Sequence, residues 1–236
     1  MSGPQLSSAC VIHRRDYRNT SLLLELFTPE EGRVPAIAKG VKSGRASRAA
    51  LLQPFMPLQV ILQGRGEIKQ LFQVEADGRP YPLTGERLYC GFYLNELLMR
   101  LLERHDPYPR LYLHYLDTLE RLAVGDSPAQ CLRHFELDLL QELGYGLLLD
   151  HTADSGEPIA LDRYYDYELE QGPIDRVSGS SELRIRGRTL LCLHNRDALD
   201  AQCADEAKRL LRRILAHYLG DKPLKSRELF QGHRQS

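Results

Sequence analysis

The pattern of hydrophobic and polar positions changes period once, near residue 80. Before that point it alternates. Leu22, Leu24 and Leu26 share one face at period two, and Leu58, Val60 and Leu62 alternate with Gln59, Ile61 and Gln63. Five short strands are predicted: Ala9–His13, Thr20–Thr28, Arg33–Lys39, Leu58–Gln63 and Glu67–Glu75. Pro29-Glu30-Glu31-Gly32 is turn chemistry, with Gly32 free to take a positive φ, and Gly64-Arg65-Gly66 supplies a tight hairpin turn. Pro35 points to an edge or bulged position in its strand. Gly40–Ala50, small and basic, reads as a loop. Five strands punctuated by glycine suggest a small closed barrel, for which an OB-type barrel is one standard solution.

From about Pro82 the period becomes helical. Gly85–Arg104 carries Leu88, Phe92, Leu94, Leu98 and Leu102 on one broad stripe, and a second helix is expected over Pro109–Ala123, closed by Gly125. The third is the best delimited, with Ser127 as N-cap, Pro128 at the first helical position and Gly144 just past the end. Its apolar positions are Leu132, Phe135, Leu139, Leu140 and Leu143. A last helix over Ala204–Leu219 is ended by Gly220. These four helices are expected to share one core. Between the third and the last lies Asp150–His194, with short strand-like pieces at Ser181–Ile185 and Arg188–Cys192. The expected class is therefore α+β: an OB-type barrel domain over 1–80, then a helical domain over 81–236 with an irregular acidic insert at about 150–195.

Composition leaves that picture intact. With 236 residues, 42% hydrophobic and 27% charged, the chain is ordinary globular material. No apolar run nears the roughly 18 residues of a membrane span, and the first residues lack a secretory pattern. Five scattered cysteines form no CxxC pair, which suits a reducing, cytoplasmic setting. The net charge of −1 hides segregation: residues 1–80 carry a net +4, 81–204 a net −9 and 205–236 a net +4. Arg33 to Lys69 holds Arg33, Lys39, Lys42, Arg45, Arg48, Arg65 and Lys69 against the single acid Glu67. A polyanion responds to the local field, so nucleic acid fits this balance.

No phosphate-binding loop, GxGxxG, HExxH or GxSxG motif occurs, which argues against an ATP-driven motor. Cys192, His194 and His151 could approach one another, but a structural zinc site wants four ligands, so no metal or other cofactor is expected. The acidic run Asp162–Glu170 could serve a metal-dependent nuclease if its carboxylates converged; consecutive carboxylates between aromatics more often make a solvated strand face. Lys39, Lys42, Arg45 and Arg48 recur every three residues through small neighbours, a spacing that can lay charge along phosphates without sequence preference. Stacking platforms are sparse: Tyr17, Phe27, Phe55 and Phe72 are the candidates, with Phe27 and Phe72 as apt for the core. In the third helix, Arg133 is either a helix-surface arginine or a cation beside an apolar groove, suited to an acidic peptide tail.

The residues also carry a resemblance. His13-Arg14-Arg15-Asp16-Tyr17, Thr20-Ser21-Leu22, Gly32-Arg33-Val34, Ala38-Lys39-Gly40, Leu52-Gln53-Pro54-Phe55 and Gly64-Arg65-Gly66-Glu67-Ile68-Lys69 resemble the barrel of the RecO family. Tyr93-Leu94-Asn95-Glu96-Leu97-Leu98, Arg133-His134-Phe135-Glu136, Leu143-Gly144-Tyr145-Gly146 and Lys222-Pro223-Leu224-Lys225-Ser226-Arg227-Glu228-Leu229 continue it in the family's order. The resemblance implies a non-enzymatic, nucleoid-associated mediator of recombinational DNA repair. It implies binding of single- and double-stranded DNA and annealing of complementary strands. It further implies contact with the acidic tail of single-stranded-DNA-binding protein, and partnership with RecR to load RecA. By position it places Arg33, Lys39 and the bases around them on the DNA-binding side of the barrel, and the full candidate set for DNA is Arg14, Arg33, Lys39, Lys42, Arg45, Arg48, Arg65 and Lys69. Arg133 is assigned to the tail, and Lys222, Lys225 and Arg227 are further basic candidates. Some relatives carry four cysteines in the insert where only Cys192 stands here, so a metal-free, loosely ordered insert is expected. A protein-only adaptor and a metal-dependent nuclease are the alternatives.

Overall fold

The computed structural model describes residues 6–42, 48–175 and 183–232, with side chains through Phe230. It divides into two compact units, residues 1–124 with 224–236, and residues 125–223.

In the first unit, β1 (Ser7–Tyr17), β2 (Ser21–Thr28), β3 (Gly32–Ala38), β4 (Pro57–Gln63) and β5 (Lys69–Ala76) close in the order β1-β2-β3-β5-β4. Neighbours are antiparallel except β3 and β5, which run parallel through Ala36↔Lys69 and Ile37↔Gln70. This is the OB-type arrangement. Alternation explains it: Leu22, Leu24 and Leu26 point inward with Ala36, Leu58 and Val60, while their neighbours face out. Pro35 pairs with Glu25 of β2. The parallel ladder on the other side begins only at Ala36, so the missing N–H costs no bond.

Two helices complete this unit. Phe27 of β2 is fully buried and meets the rings of Tyr112 and Tyr115 edge-on, at 5.4 and 5.9 Å. Both tyrosines belong to α2 (Pro109–Val124), and Phe55 packs on Phe92 of α1 (Gly85–Leu101). Phe27 is thus core and no platform. The expectation of one core for four helices is corrected accordingly. α1 and α2 belong to the barrel's unit, because β2 has an apolar outer residue that must be covered. The glycine at 32 is required twice over. Its φ is +61°, and a Cβ there would lie 1.7 Å from the Asp106 carbonyl oxygen.

A helix not foreseen, α6 (Ser226–Gly232), also joins the first unit. Glu96 of α1 accepts the backbone N–H of Lys225 at 2.9 Å and of Ser226 at 2.8 Å, and Phe230 sits edge-on to Tyr89. Burial alone would raise the Glu96 pKa. The hydrogen bonds from Ser226 and Lys225, with Arg100 nearby, outweigh it and hold the carboxyl below its usual value.

The second unit contains α3 (Pro128–Glu142), α4 (Gly187–Asn195), α5 (Ala201–Leu219) and a sheet ordered β7 (Gly172–Ile174), β6 (Tyr164–Glu168), β8 (Arg184–Arg186). Two expectations change here. Tyr165, Asp166 and Tyr167 are buried in succession, so the solvated-face expectation fails at Asp166, while Asp162, Glu168 and Glu170 of the acidic run are exposed. Asp166 is turned to Arg184 of β8 at 3.5 Å. Arg188–Cys192 is helical, within α4, because Leu190 and Leu193 bury together at a helical spacing. Glu206 of α5 is interior and accepts from Arg186 Nε at 3.0 Å and Thr189 Oγ1 at 2.6 Å. The insert is therefore knit into this unit at its described residues.

Two outcomes follow for stability. Gly32→Ala should cost about 2 kcal/mol or more, from positive φ and the clash with Asp106, read as a lowered denaturation midpoint. A lowered folded-state pKa at Glu96 means its stabilisation is complete above the ordinary glutamate range and is lost as pH falls through the folded value. Hydrogen-exchange protection of Ser226–Gly232, corrected for intrinsic rates, should therefore hold through the ordinary glutamate range and fall only as the pH drops below it. Glu96→Gln should lower it at pH 7 and flatten the profile.

Candidate nucleic-acid interface

The basic residues of the barrel divide by what their charges already do. Arg14 donates from Nη1 to the carbonyls of Ala49 and Leu52, at 3.3 and 3.2 Å, and so pins the segment after the basic loop. Arg33 lies half-buried on the barrel's outer face, under the chain that follows α1: its Nη1 is 3.6 Å from Glu25, and its Nε donates to the Leu102 carbonyl at 3.1 Å. Burial pulls its pKa down, with Glu25 opposing the fall and Arg104 adding to it. Lys42 is paired with Asp16 at 2.6 Å. Lys69 lies 3.7 Å from Glu31 and donates to the Gly64 carbonyl. These four hold the unit together.

Lys39, Arg48 and Arg65 differ. All three are exposed, and none has a carboxylate partner among the described residues. Lys39 donates to Gln70 Oε1 at 3.0 Å, a neutral partner that leaves its charge intact. Arg48 opens a single 3₁₀ turn (Arg48–Ala50), and Arg65 stands in the β4–β5 turn. Arg45 lies outside the described residues. Lys39 and Arg48 share a cavity of about 130 Å³ with Val41, Gln70, Leu71, Phe72 and Val74. Phe72, left between core and platform by its pattern, is 54% exposed on β5.

One cation that the pattern did not mark proves central. Arg104 reaches Glu25 at 2.9 Å and also pairs with Glu67, while the His105 N–H donates to the Arg33 carbonyl. No local signal announces a pair 79 residues apart.

In the second unit Arg133 is 6% exposed and paired with Glu136, so it offers no open charge. Arg196 holds the same helix, donating to the His134 carbonyl at 2.8 Å and to Asp138 at 2.6 Å. A larger cavity of about 310 Å³ is lined by Tyr145 and Tyr218, stacked at 4.0 Å, with Tyr167, Leu148, Glu170 and His217. Lys222 and Lys225 are exposed and Arg227 is half-buried. His151 and His194 both approach Asp150, at 3.0 and 4.0 Å, and Asp166 is turned to Arg184. Among the described residues no group of three or more His, Cys, Asp or Glu side chains is placed to hold a metal ion. Nor is any helix among them long and apolar enough to cross a membrane.

A closed barrel of OB order, bearing an outer patch of unpaired cations beside an exposed ring and followed by a helical region with a small sheet, sets the class: an OB-barrel protein with a helical second part. Residues 1–78 match the family model described as Recombination protein O N terminal, and residues 82–228 match Recombination protein O C terminal. The chain is 51% identical over 226 residues to the DNA repair protein RecO of Methylococcus capsulatus, covering 96% of this chain and 93% of that protein. It is 49% identical to that of Nitrosococcus oceani (98% and 94% covered) and 46% to that of Yersinia enterocolitica (94% and 92%). The chain belongs to the RecO family.

Proposed function

We propose that this protein is a mediator of recombinational DNA repair that binds single- and double-stranded DNA and anneals complementary strands coated with single-stranded-DNA-binding protein. No ATP and no covalent step are used, and the protein acts in the cytoplasm on nucleoid DNA. The observation that carries this reading is the exposure of Lys39, Arg48 and Arg65, without carboxylate partners among the described residues, on a closed barrel. Cations in that state release counterions from a phosphate backbone and lower the repulsion between two strands. Base pairing then supplies the drive. Arg14, Arg33, Lys42 and Lys69 serve this surface by fixing its scaffold.

Partnership with RecR, and through it the loading of RecA, rests on family membership alone. The acidic tail of single-stranded-DNA-binding protein belongs to the same proposal, with Arg133 as its cation. Because Arg133 is held by Glu136, a tail carboxylate must displace that partner to reach it. Lys222, Lys225 and Arg227 are further contacts for an anion. A nuclease draws no support from β6, where Asp166 is buried against Arg184.

The test is strand annealing without nucleotide, on bare strands and on strands coated with single-stranded-DNA-binding protein that has or lacks its tail. The wild type should accelerate all but the tail-less coated reaction. The triple variant Lys39→Ala, Arg48→Ala, Arg65→Ala should lose about tenfold or more of the rate with its melting temperature unchanged. Full annealing by that variant, or a requirement for ATP, would count against the proposal.

A further inference from the structure

We infer that Phe72, Lys39 and Arg48 form a subsite for one unpaired nucleotide, whose base stacks on the Phe72 ring while its phosphate lies against the two cations. This rests on the reading above that the barrel binds DNA, and adds to it a residue that separates single strands from duplex.

Four observations bear on it. First, of the six phenylalanines in the chain, Phe72 alone is exposed; Phe27 and Phe55 of the same unit are buried. A barrel strand gains nothing from an apolar ring facing solvent. Second, the residue is 54% exposed and no other aromatic ring among the described residues packs on it, which leaves ring surface for a base. Third, the site is concave. Val41, Leu71 and Val74, all buried, form its floor, and Lys39, Arg48, Gln70 and Phe72 form its rim. Gln70 accepts from Lys39 through Oε1, which leaves its amide hydrogens to donate to a base edge. Fourth, both cations lack a carboxylate partner among the described residues, so a phosphate meets uncompensated charge. An open π-face beside cations is the combination that holds a single-stranded nucleotide without regard to its sequence.

Pairing empties this subsite. In a duplex each base is stacked within its own strand and hidden between backbones, so the ring cannot reach it. A strand that finds its complement therefore leaves Phe72 and is held by phosphate contacts alone. The ring favours the substrate of annealing over its product.

The chain contains no tryptophan, so Phe72→Trp places a single indole at the subsite. That variant is titrated at fixed salt with an oligothymidylate, an abasic strand of equal length and a blunt duplex. In parallel, anisotropy gives the affinities of wild type, Phe72→Ala and Phe72→Leu for the oligothymidylate and the duplex. Indole fluorescence should be quenched by oligothymidylate, and not by the abasic strand or the duplex, although all three bind. Phe72→Leu, which keeps apolar bulk without a π-face, and Phe72→Ala should each weaken single-strand binding about 5- to 30-fold and leave duplex binding within about twofold. If oligothymidylate binds without quenching, or Phe72→Leu binds it as the wild type does, the subsite is overturned while DNA binding by the barrel stands. If the wild type binds none of the three, the reading beneath it falls as well.

Discussion

A carboxylate buried against the outer face of a small barrel must be given cations, and Glu25 takes two. Its side chain is 10% exposed, with Arg33 on one oxygen and Arg104 on the other. A buried ion left without its partner costs several kcal/mol, so this triad is kept or lost as a whole. Arg104 stands just past the end of α1, and Arg33 binds the Leu102 carbonyl there. The triad therefore clamps β2 and β3 to the chain that links α1 and α2. It also draws that chain so near β3 that only glycine fits at residue 32. Where the barrel ends and its covering helices begin is set by this clamp.

Pairing of this kind decides which of the predicted cations are left over. Arg33 is spent on Glu25, as Lys42 is on Asp16, and Lys69 shares itself between Glu31 and a carbonyl. Of the described residues predicted to touch DNA, those left outside without a carboxylate are Lys39, Arg48 and Arg65, with Phe72 beside the first two. Each phosphate contact is weak singly and they add, while the ring contributes a term that no duplex can claim. The second unit follows the same rule more strictly. Glu206 is satisfied by Arg186 and Thr189, Glu136 pairs with Arg133, and Asp138 with Arg196. Its buried charge is internal neutralisation, and any acidic ligand there must compete with residues already in place.

Much of the barrel was legible because period two survives wherever one face is covered, and four of the helices announced themselves by spacing and by Pro128 and Gly144. β1 was read short, as Ala9–His13, since its ladder continues through the polar residues His13–Tyr17, which carry no alternation. α4 was read as strand because Thr-Leu-Leu-Cys-Leu suits either state until α5 packs on it. β6 looked solvated because nothing in Tyr-Asp-Tyr tells that all three are buried. The candidate site was legible as a count of cations and no further. Pairing of Arg33 with Glu25 or Lys42 with Asp16 joins separate strands or turns, so the charges that matter could be sorted from the others only in three dimensions. Family membership was visible in the ordered motifs, which say nothing of which side chain is open.

The central claim is that neutralisation of phosphates by unpaired cations on the barrel is the binding energy. The most direct measurement is the affinity for a single-stranded oligonucleotide across a series of salt concentrations. The account predicts that log K falls linearly with log salt, with a slope of about −2 to −3 for three to four phosphate contacts, and that removing Lys39 makes the slope shallower by about 0.7. An affinity that holds constant across the series, or a slope unchanged when Lys39, Arg48 and Arg65 are removed together, would contradict it.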